Sequence, residues 1–232
     1  FAVSMNLPAS GPAHVQRDPL FSGATLLLTL LCLWPIWSQR FLAMQDYPQH
    51  LFLSYVLHTY NDPGFDWSLY RADLQLTPYS LEYWLTDAFA QFVSIETAGK
   101  LLVSLYVLLM GAVVVRAARR LPHAHTPWAL LIFFPLIFNQ AYFLGFENFL
   151  LSLALLFLAL LDLEDFTAQP IRTASALRHA AYLTALFLCH PFSALLYLAF
   201  ASAYALFFWK DRASFRRILW PIVLFTLIVA TW

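Results

Sequence analysis

Long apolar stretches constrain this chain more than any other feature. Segments 20–37, 98–115 and 127–144 carry almost no charge, and each has the length that a helix needs to cross roughly 30 Å of hydrocarbon. With 61% hydrophobic and only 11% charged residues, the chain lies far from the balance of a soluble domain. We therefore predict an all-α fold, a polytopic transmembrane helical bundle that forms a single transmembrane domain over residues 1–232.

Further apolar segments follow at 149–163, 180–209 and 218–232, which gives an expected six to seven spans. The last segment reaches only about 22 Å at the helical rise of about 1.5 Å per residue. That length is too short to cross the bilayer. We therefore expect 218–232 to be a truncated span and the chain to be a piece of a longer protein.

Basic residues predict the orientation of the bundle. Arg116, Arg119 and Arg120 close the second span, and an excess of Lys and Arg marks the cytoplasmic side. Region 38–96 is then an extracytoplasmic loop, and the N-terminus is cytoplasmic. The charges of this loop agree with that assignment, because acidic residues outnumber basic ones: Asp46, Asp62, Asp66, Asp73, Glu82, Asp87 and Glu96 against Arg40 and Arg71.

Segment 180–209 lies between two basic regions, 172–178 and 210–217. If both are cytoplasmic, the segment must cross outward and return within thirty residues. A break at His190-Pro191 allows this, since proline removes a helical donor and clashes with the preceding turn. We predict a half-helix over 180–189 and a full helix over 192–209. The alternative is one long kinked span that leaves the second basic region outside.

The sequence of the extracytoplasmic loop predicts two helices that lie along the membrane. The first runs from Asp46 to Tyr60, with Asp46 as N-cap and Pro48 in the first turn. A spacing of four puts Asp46, His50, Ser54 and His58 on one face of it. The second helix should lie in the membrane interface with its apolar, aromatic face down, and that face comprises Leu81, Trp84, Leu85, Ala88, Phe89 and Phe92.

Aromatic residues accompany these helices. Trp67, Tyr70, Tyr79 and Tyr83 suit either a belt at the level of the lipid headgroups or a surface on which sugars stack. The sequence leaves both interpretations open.

A first span followed at once by Asp46-Tyr47-Pro48-Gln49-His50, then two loop helices, then tightly spaced spans, resembles the GT-C superfamily of polytopic membrane glycosyltransferases. The likeness covers most of 20–209. Residues 145–149, with the leucine-rich span after them, and His190-Pro191 resemble segments of uncharacterised bacterial relatives of this group. The resemblance implies a sugar donor carried on a polyprenyl phosphate and an inner-membrane enzyme acting at the outer face, with Asp46 as the catalytic carboxylate and His50 beside it.

Elementary chemistry supports a carboxylate at this place. Sugar transfer from a phosphate to a hydroxyl needs a base for the acceptor proton, and partial dehydration adapts a carboxylate to that task. Displacement in a single step inverts the anomeric centre. Arg40 is the preferred cation for the departing phosphate, ahead of Arg71 and Lys100. The alternative for Asp46 is a helix cap worth about 1 kcal/mol, and His50 could be only a polar contact.

Three further polar residues lie at or in the membrane: Glu147, Asn148 and His190. Ionisable groups in a membrane are costly and are functional candidates by default, so these side chains are expected to line one cavity with Asp46. The alternative is that Asn139, Gln140 and Asn148 cap broken helices, Glu147 lies in headgroup water and His190 binds backbone freed by Pro191. The substrate-binding candidates are Arg40, Arg71, Tyr79, Glu82, Glu147, Asn148 and His190.

The sequence leaves other classes of function open. Discontinuous helices also suit a transporter or flippase, and a catalytically inactive membrane subunit of the same fold is a third alternative. No second acidic residue adjoins Asp46, so a divalent metal is possible but not required, with Asp46 and His50 as its expected ligands. Zero net charge argues against a nucleic-acid partner. The sequence contains no Gly-x-Gly-x-x-Gly motif, so we do not expect a nucleotide cofactor. Membrane lipids and the polyprenyl-phosphate-linked sugar are the expected partners.

Only Cys32 and Cys189 occur, each inside an apolar segment. We expect them to be small apolar side chains and not a disulfide or metal ligands.

Overall fold

The computed structural model describes residues 19–72, 76–120, 127–168 and 173–207, with the short pieces 222–223 and 225–226. All regular structure in these residues is helical, which confirms the predicted all-α class for that part of the chain. The α-helices are α1 (Pro19–Ser38), α2 (Tyr47–His58), α3 (Leu81–Ala90), α4 (Ile95–Ala118), α5 (Gln140–Leu144), α6 (Glu147–Ala168), α7 (Thr173–Cys189) and α8 (Pro191–Phe207). Two 3-10 helices, Pro127–Phe133 and Pro135–Phe138, precede α5.

Among the described residues, three stretches are long and apolar enough to cross a membrane: Pro19–Ser38, Ile95–Ala118 and Pro127–Leu144. The first two are continuous α-helices at the predicted positions. The third is not a single α-helix, because Pro135 lacks a backbone donor and Asn139 begins a new helix by accepting from the Tyr142 N–H at 3.2 Å. The predicted 127–144 span is therefore apolar but built of 3-10 turns followed by α5.

Two helices are longer than the sequence predicted. Helix α6 runs from Glu147 to Ala168 instead of 149–163, and α7 has 17 residues. At about 1.5 Å per residue α7 is about 25 Å long, so the half-helix over 180–189 was wrong. The helix continues through polar residues because these are paired: Arg178 lies 3.5 Å from Asp162, and His179 hydrogen-bonds Tyr197 at 2.7 Å.

The break at His190-Pro191 is confirmed. His190 separates α7 from α8, and His179 of α7 reaches Tyr197 of α8. In one continuous helix residues 18 apart would be about 27 Å from each other. Helix α8 therefore folds back on α7, which rules out a single long kinked span. The second basic region, 210–217, lies outside the described residues, and so does most of the predicted truncated span, 218–232.

Helix α4 is the centre of the bundle, with α1, α3 and α6 packed around it. Its largest buried cluster joins Val107 and Met110 to Ile36 of α1 and Ile137 of the apolar stretch. A second cluster lies between α6, α7 and α8 and includes Leu183 and Leu186.

The bundle has two distinct ends. At one, here called the loop end, Gln45 and Asp46 bind the carbonyl oxygens of Phe143 and Leu144, and the ring of Tyr79 packs on His190. At the other, Asp162 of α6 contacts Arg116 of α4 and Arg178 of α7. The chain thus brings the loop over 38–94 and the breaks at Gly145 and His190 to the same end.

Candidate functional site

A cavity of about 700 Å³ opens at the loop end. It lies where α2 and α3 meet the start of α6 and the break between α7 and α8. Its wall combines polar and apolar side chains. The lining residues are His50, Tyr79, Glu82, Gln140, Ala141, Leu144, Phe146, Glu147, Asn148, Phe149 and His190. Six of them are residues that the sequence proposed for the site: His50, Tyr79, Glu82, Glu147, Asn148 and His190.

Helices α2 and α3 pair through two histidine–carboxylate contacts. Nδ1 of His50 lies 3.0 Å from Oε1 of Glu82, and Nδ1 of His58 lies 2.8 Å from Oδ1 of Asp87. Ser54 lies between the two histidines on the same face and is buried. The predicted common face of α2 is therefore confirmed for these three residues.

Glu82 faces the interior although it lies in a helix expected at the membrane surface. Its side chain is 2% exposed, Oε1 has the contact with His50, and Oε2 has no hydrogen-bond partner among the described residues. Nδ1 of His50 makes its hydrogen bond with the Tyr83 hydroxyl, at 2.9 Å. The carboxylate of Glu82 raises the pKa of His50, while burial opposes that rise.

The apolar face of α3 departs from the prediction in part. Leu81 and Leu85 pack on the buried residues Leu102 and Leu151, so this part of the face meets protein. Phe92, just after the helix, is 88% exposed. Two polar residues of α3, Glu82 and Thr86, are buried instead, and Glu82 lines the cavity.

Glu147 begins α6 and lies in the turn before the predicted 149–163 span. It is 5% exposed, and Oε2 has no hydrogen-bond partner among the described residues. Burial, followed by the neighbouring Glu82 carboxylate, raises the pKa of Glu147 to about 8. The interpretation that Glu147 lies in headgroup water is therefore wrong.

Tyr79 holds a left-handed backbone conformation, with φ 65°. Such a conformation costs about 1–3 kcal/mol for a residue other than glycine and is common at functional sites. Nδ2 of Asn148 donates to the Tyr79 carbonyl oxygen at 3.3 Å, and the Tyr79 ring meets that of His190 edge-on at 5.1 Å. Asn148 thus holds the strained segment and does not cap a helix.

Three proposed site residues do not line the cavity. Asp46 is half-buried at the N-cap position of α2, but its side chain makes no capping hydrogen bond. It is near enough to raise the pKa values of His50 and Glu147. Arg40 is exposed, with its guanidinium over the Phe41 ring, and Arg71 lines a separate groove beside α2 and α3.

Lys100, Trp67 and Tyr70 also lie apart from the cavity. Lys100 donates to the Gln39 carbonyl oxygen at the end of α1. Trp67 packs against Phe65 and Tyr70, so neither Trp67 nor Tyr70 offers a sugar-stacking surface inside the cavity.

Sequence reasoning missed the apolar part of the wall, which Leu144, Phe146 and Phe149 provide. Nothing distinguishes these residues from other apolar positions in the sequence. Gln140 carries a signal, as a polar residue inside an apolar stretch, but the alternative interpretation makes Asn139, Gln140 and Asn148 helix caps. The structure confirms the cap for Asn139 and places Gln140 in the cavity wall.

The cavity contains a set of atoms suited to a metal. Ligand atoms of His50, Glu82 and Glu147 all lie within 4.8 Å of one another. This set retains His50 from the pair that the sequence suggested and replaces Asp46 by two glutamates.

Comparison of the chain with protein-family models, with curated proteins and with solved structures gives no match. Function is therefore argued from the cavity and the residues around it.

Proposed function

We propose that the protein is a GT-C-like membrane glycosyltransferase, which moves a sugar from a polyprenyl-phosphate donor to an acceptor at the outer face of the membrane. One observation carries this proposal. A buried carboxylate–histidine cluster shares one cavity with an apolar wall, at the end of the bundle that the first loop covers.

The proposal includes the membrane topology. The chain is a multi-pass protein of a bacterial inner membrane, with a cytoplasmic N-terminus and interfacial helices α2 and α3 in the extracytoplasmic loop. The three stretches long enough to cross a membrane support it. So does the position of Arg116 and Arg178 at the end opposite the cavity, because basic residues favour the cytoplasmic side.

The mixed polar and apolar lining of the cavity suits an amphiphilic substrate. Polyprenyl phosphates join an apolar chain to a charged, sugar-bearing head. Leu144, Phe146 and Phe149 offer contact to the chain, while Glu82 and Asn148 offer polar groups to the head. A soluble nucleotide sugar would have no use for the apolar lining.

Asp46 is proposed as the catalytic base. It would take the proton of the acceptor hydroxyl while the oxygen attacks the anomeric carbon and the bond from that carbon to the phosphate oxygen breaks, which inverts the centre. The missing capping bond supports this role, because the carboxylate is not committed to the helix. His50, one helical turn further on, would orient it.

Transfer of radiolabelled sugar from polyprenyl-phosphate donors, by membranes that contain the protein, tests the proposal. Wild-type membranes should transfer, and Asp46→Asn should lose most of the activity at equal expression. Asp66→Asn is the matched control, since Asp66 lies exposed in the same loop and should leave transfer unchanged. Absence of transfer by the wild type from every donor contradicts the proposal.

A transporter or flippase is the second candidate. The cavity lies at two helix breaks, Gly145 and His190, and discontinuous helices bind substrates in transporters. Movement of a labelled polyprenyl-phosphate sugar across proteoliposomes, with no new glycosidic bond, would favour it. A catalytically inactive subunit would show neither activity.

A further inference from the structure

We infer that His50, Glu82 and Glu147 form a binding site for one divalent transition-metal ion of the Zn²⁺ or Mn²⁺ type. The three residues come from α2, α3 and the first turn of α6. The proposal concerns binding and stands whether or not the protein transfers sugars.

The separations of the ligand atoms fit such an ion. Zn²⁺ binds His nitrogen and carboxylate oxygen at about 2.0–2.2 Å, so neighbouring ligand atoms around it lie about 3.3–3.5 Å apart. The atoms here all lie within 4.8 Å of one another, and the closest pair, Nδ1 of His50 and Oε1 of Glu82, is 3.0 Å apart. Small side-chain rotations complete the geometry.

Buried oxygens without hydrogen bonds supply a second, independent observation. Glu82 is 98% buried, its Oε1 has only the His50 contact at 3.0 Å, and its Oε2 has no hydrogen-bond partner among the described residues. Oε2 of Glu147, in a side chain 95% buried, also lacks a partner there. Buried carboxylate oxygens without hydrogen bonds are costly, and a cation between the two glutamates would offset that cost.

Charge balance favours a divalent ion. Two glutamates carry two negative charges when a bound metal displaces the proton of Glu147, and among the described residues His50 is the one side chain near them that can become a cation. When the His50 imidazole is neutral, the two negative charges of the glutamates balance the two positive charges of the ion. The mixed nitrogen–oxygen set selects ions that accept imidazole, such as Zn²⁺ or Mn²⁺, over Mg²⁺ and Ca²⁺, which prefer oxygen ligands alone.

The site would keep open coordination positions. All three residues line the cavity, so the face of the ion away from them would meet water or a bound ligand. Three protein ligands with a free fourth position are typical of catalytic zinc sites and not of structural ones.

Direct binding of metal to the chelator-treated full chain in detergent, purified without a polyhistidine tag, tests the inference. Competition with a chromophoric chelator should show one Zn²⁺ or Mn²⁺ per chain, and Mg²⁺ should bind more weakly. Since changes to residues that only support a ligand already cost about 10–100-fold in affinity, Glu82→Gln and Glu147→Gln should each weaken binding at least about tenfold.

The pair His58–Asp87 provides a matched control. It lies on the same two helices at 2.8 Å but lacks a third carboxylate, so His58→Gln and Asp87→Asn should leave the affinity unchanged. Absence of saturable binding to the wild type would overturn the inference. So would equal losses in the control variants.

X-ray absorption of the zinc-loaded wild type gives a test that needs no variant. It should show one imidazole nitrogen and oxygen neighbours at about 2.0–2.2 Å. A sulfur neighbour would assign the metal to Cys32 or Cys189 and overturn the inference. The result is independent of the sugar-transfer assay, so failure of one proposal is distinguishable from failure of the other.

Discussion

The backbone N–H of Asp46 donates a hydrogen bond to the carbonyl oxygen of Leu144 at 3.0 Å. This bond joins the start of α2 to the turn that separates α5 from α6. Because His50 lies one helical turn after Asp46 and Glu147 lies three residues after Leu144, the bond sets where the two site residues meet. The cavity therefore depends on a close approach of two backbone segments.

Replacing Gly145 by alanine should disrupt that approach. Gly145 has φ 84°, and a Cβ there would lie 2.8 Å from the Tyr47 nitrogen and 2.9 Å from the Asp46 nitrogen. The left-handed conformation alone costs about 1–2 kcal/mol for alanine, and relief of the clash must move α2. We expect a loss of at least that much stability in thermal unfolding in detergent.

Gly23→Ala is the control for this substitution. A Cβ at Gly23 in α1 meets nothing within 4 Å, and alanine in a helix stabilises by about 0.5–1 kcal/mol relative to glycine. If Gly145→Ala were as stable as Gly23→Ala, the backbone approach would not hold α2 in place.

The length of the apolar segments predicted α1 and α4 well, because each is a continuous helix. Helix α4 contains no proline, and the one proline inside α1, Pro35, lies near its end. The same signal gave the wrong internal structure for 127–144, since hydropathy does not register the effect of Pro135 and Asn139 on backbone hydrogen bonds. Hydropathy also predicted too short a helix for α7. The charge of Arg178 in α7 is compensated by Asp162 in α6, and a contact between two helices cannot be predicted from local hydropathy.

The site shows a similar division. Glu147, Asn148 and His190 could be selected from the sequence because polar groups are costly at the membrane, and His50 because of its spacing from Asp46. Their common cavity could be only a hypothesis, because it depends on the Asp46–Leu144 bond and on the strained Tyr79. Arg40 was chosen for its nearness in sequence to the end of α1, which does not determine where an exposed side chain points.

Asp162→Asn should destabilise the end of the bundle opposite the cavity. The Asp162 side chain is 1% exposed and contacts Arg116, while Arg178 lies at 3.5 Å and the Tyr182 hydroxyl donates at 3.1 Å. Loss of its charge leaves two arginines without their partner. Since these are 39% and 47% exposed, water limits the cost to about 1–3 kcal/mol, below that of a fully buried pair.

Thermal unfolding in detergent measures this cost. Glu96→Gln is the control, because Glu96 is an exposed acid in the first turn of α4 and should change stability by only a few tenths of a kcal/mol. Equal stability of the two variants would contradict a stabilising network around Asp162.

Stability of the metal-free protein should fall as the pH rises from about 5 to about 8. The pKa of Glu147 is about 8 in the fold against an ordinary value of 4.5, so in this window the folded state holds a proton that the unfolded state has released. The raised pKa of His50, which Glu82 causes first, acts in the same direction, because its contribution is lost as the pH rises.

Thermal unfolding across this pH range, in the presence of a chelator, checks the sign. Glu147→Gln should remove most of the slope of stability against pH. The smaller part that remains is due to His50, whose pKa Glu82 and Asp46 also raise. A stability that rises with pH over the same window would show that Glu147 is ionised in the fold.

Ser152 of α6 and Ser193 of α8 should be energetically coupled. Their hydroxyl oxygens lie 2.7 Å apart, both side chains are buried, and Ser152 also donates to the Phe149 carbonyl oxygen at 2.7 Å. Ser193 is therefore the donor of the shared bond. Ser152→Ala removes the acceptor and leaves a buried hydroxyl, which costs about 1–3 kcal/mol, whereas Ser193→Ala loses a single bond worth about 1 kcal/mol.

A double-mutant cycle on unfolding free energies measures the coupling. The double variant has no stranded hydroxyl, so its cost should be smaller than the sum of the single costs by about 1 kcal/mol. Ser38→Ala should have almost no effect, because Ser38 is exposed and its bond to the Pro35 carbonyl oxygen is 3.4 Å long. Additive costs would mean that Ser193 finds another acceptor when Ser152 is absent, and that the bond does not tie α8 to α6 beside the cavity.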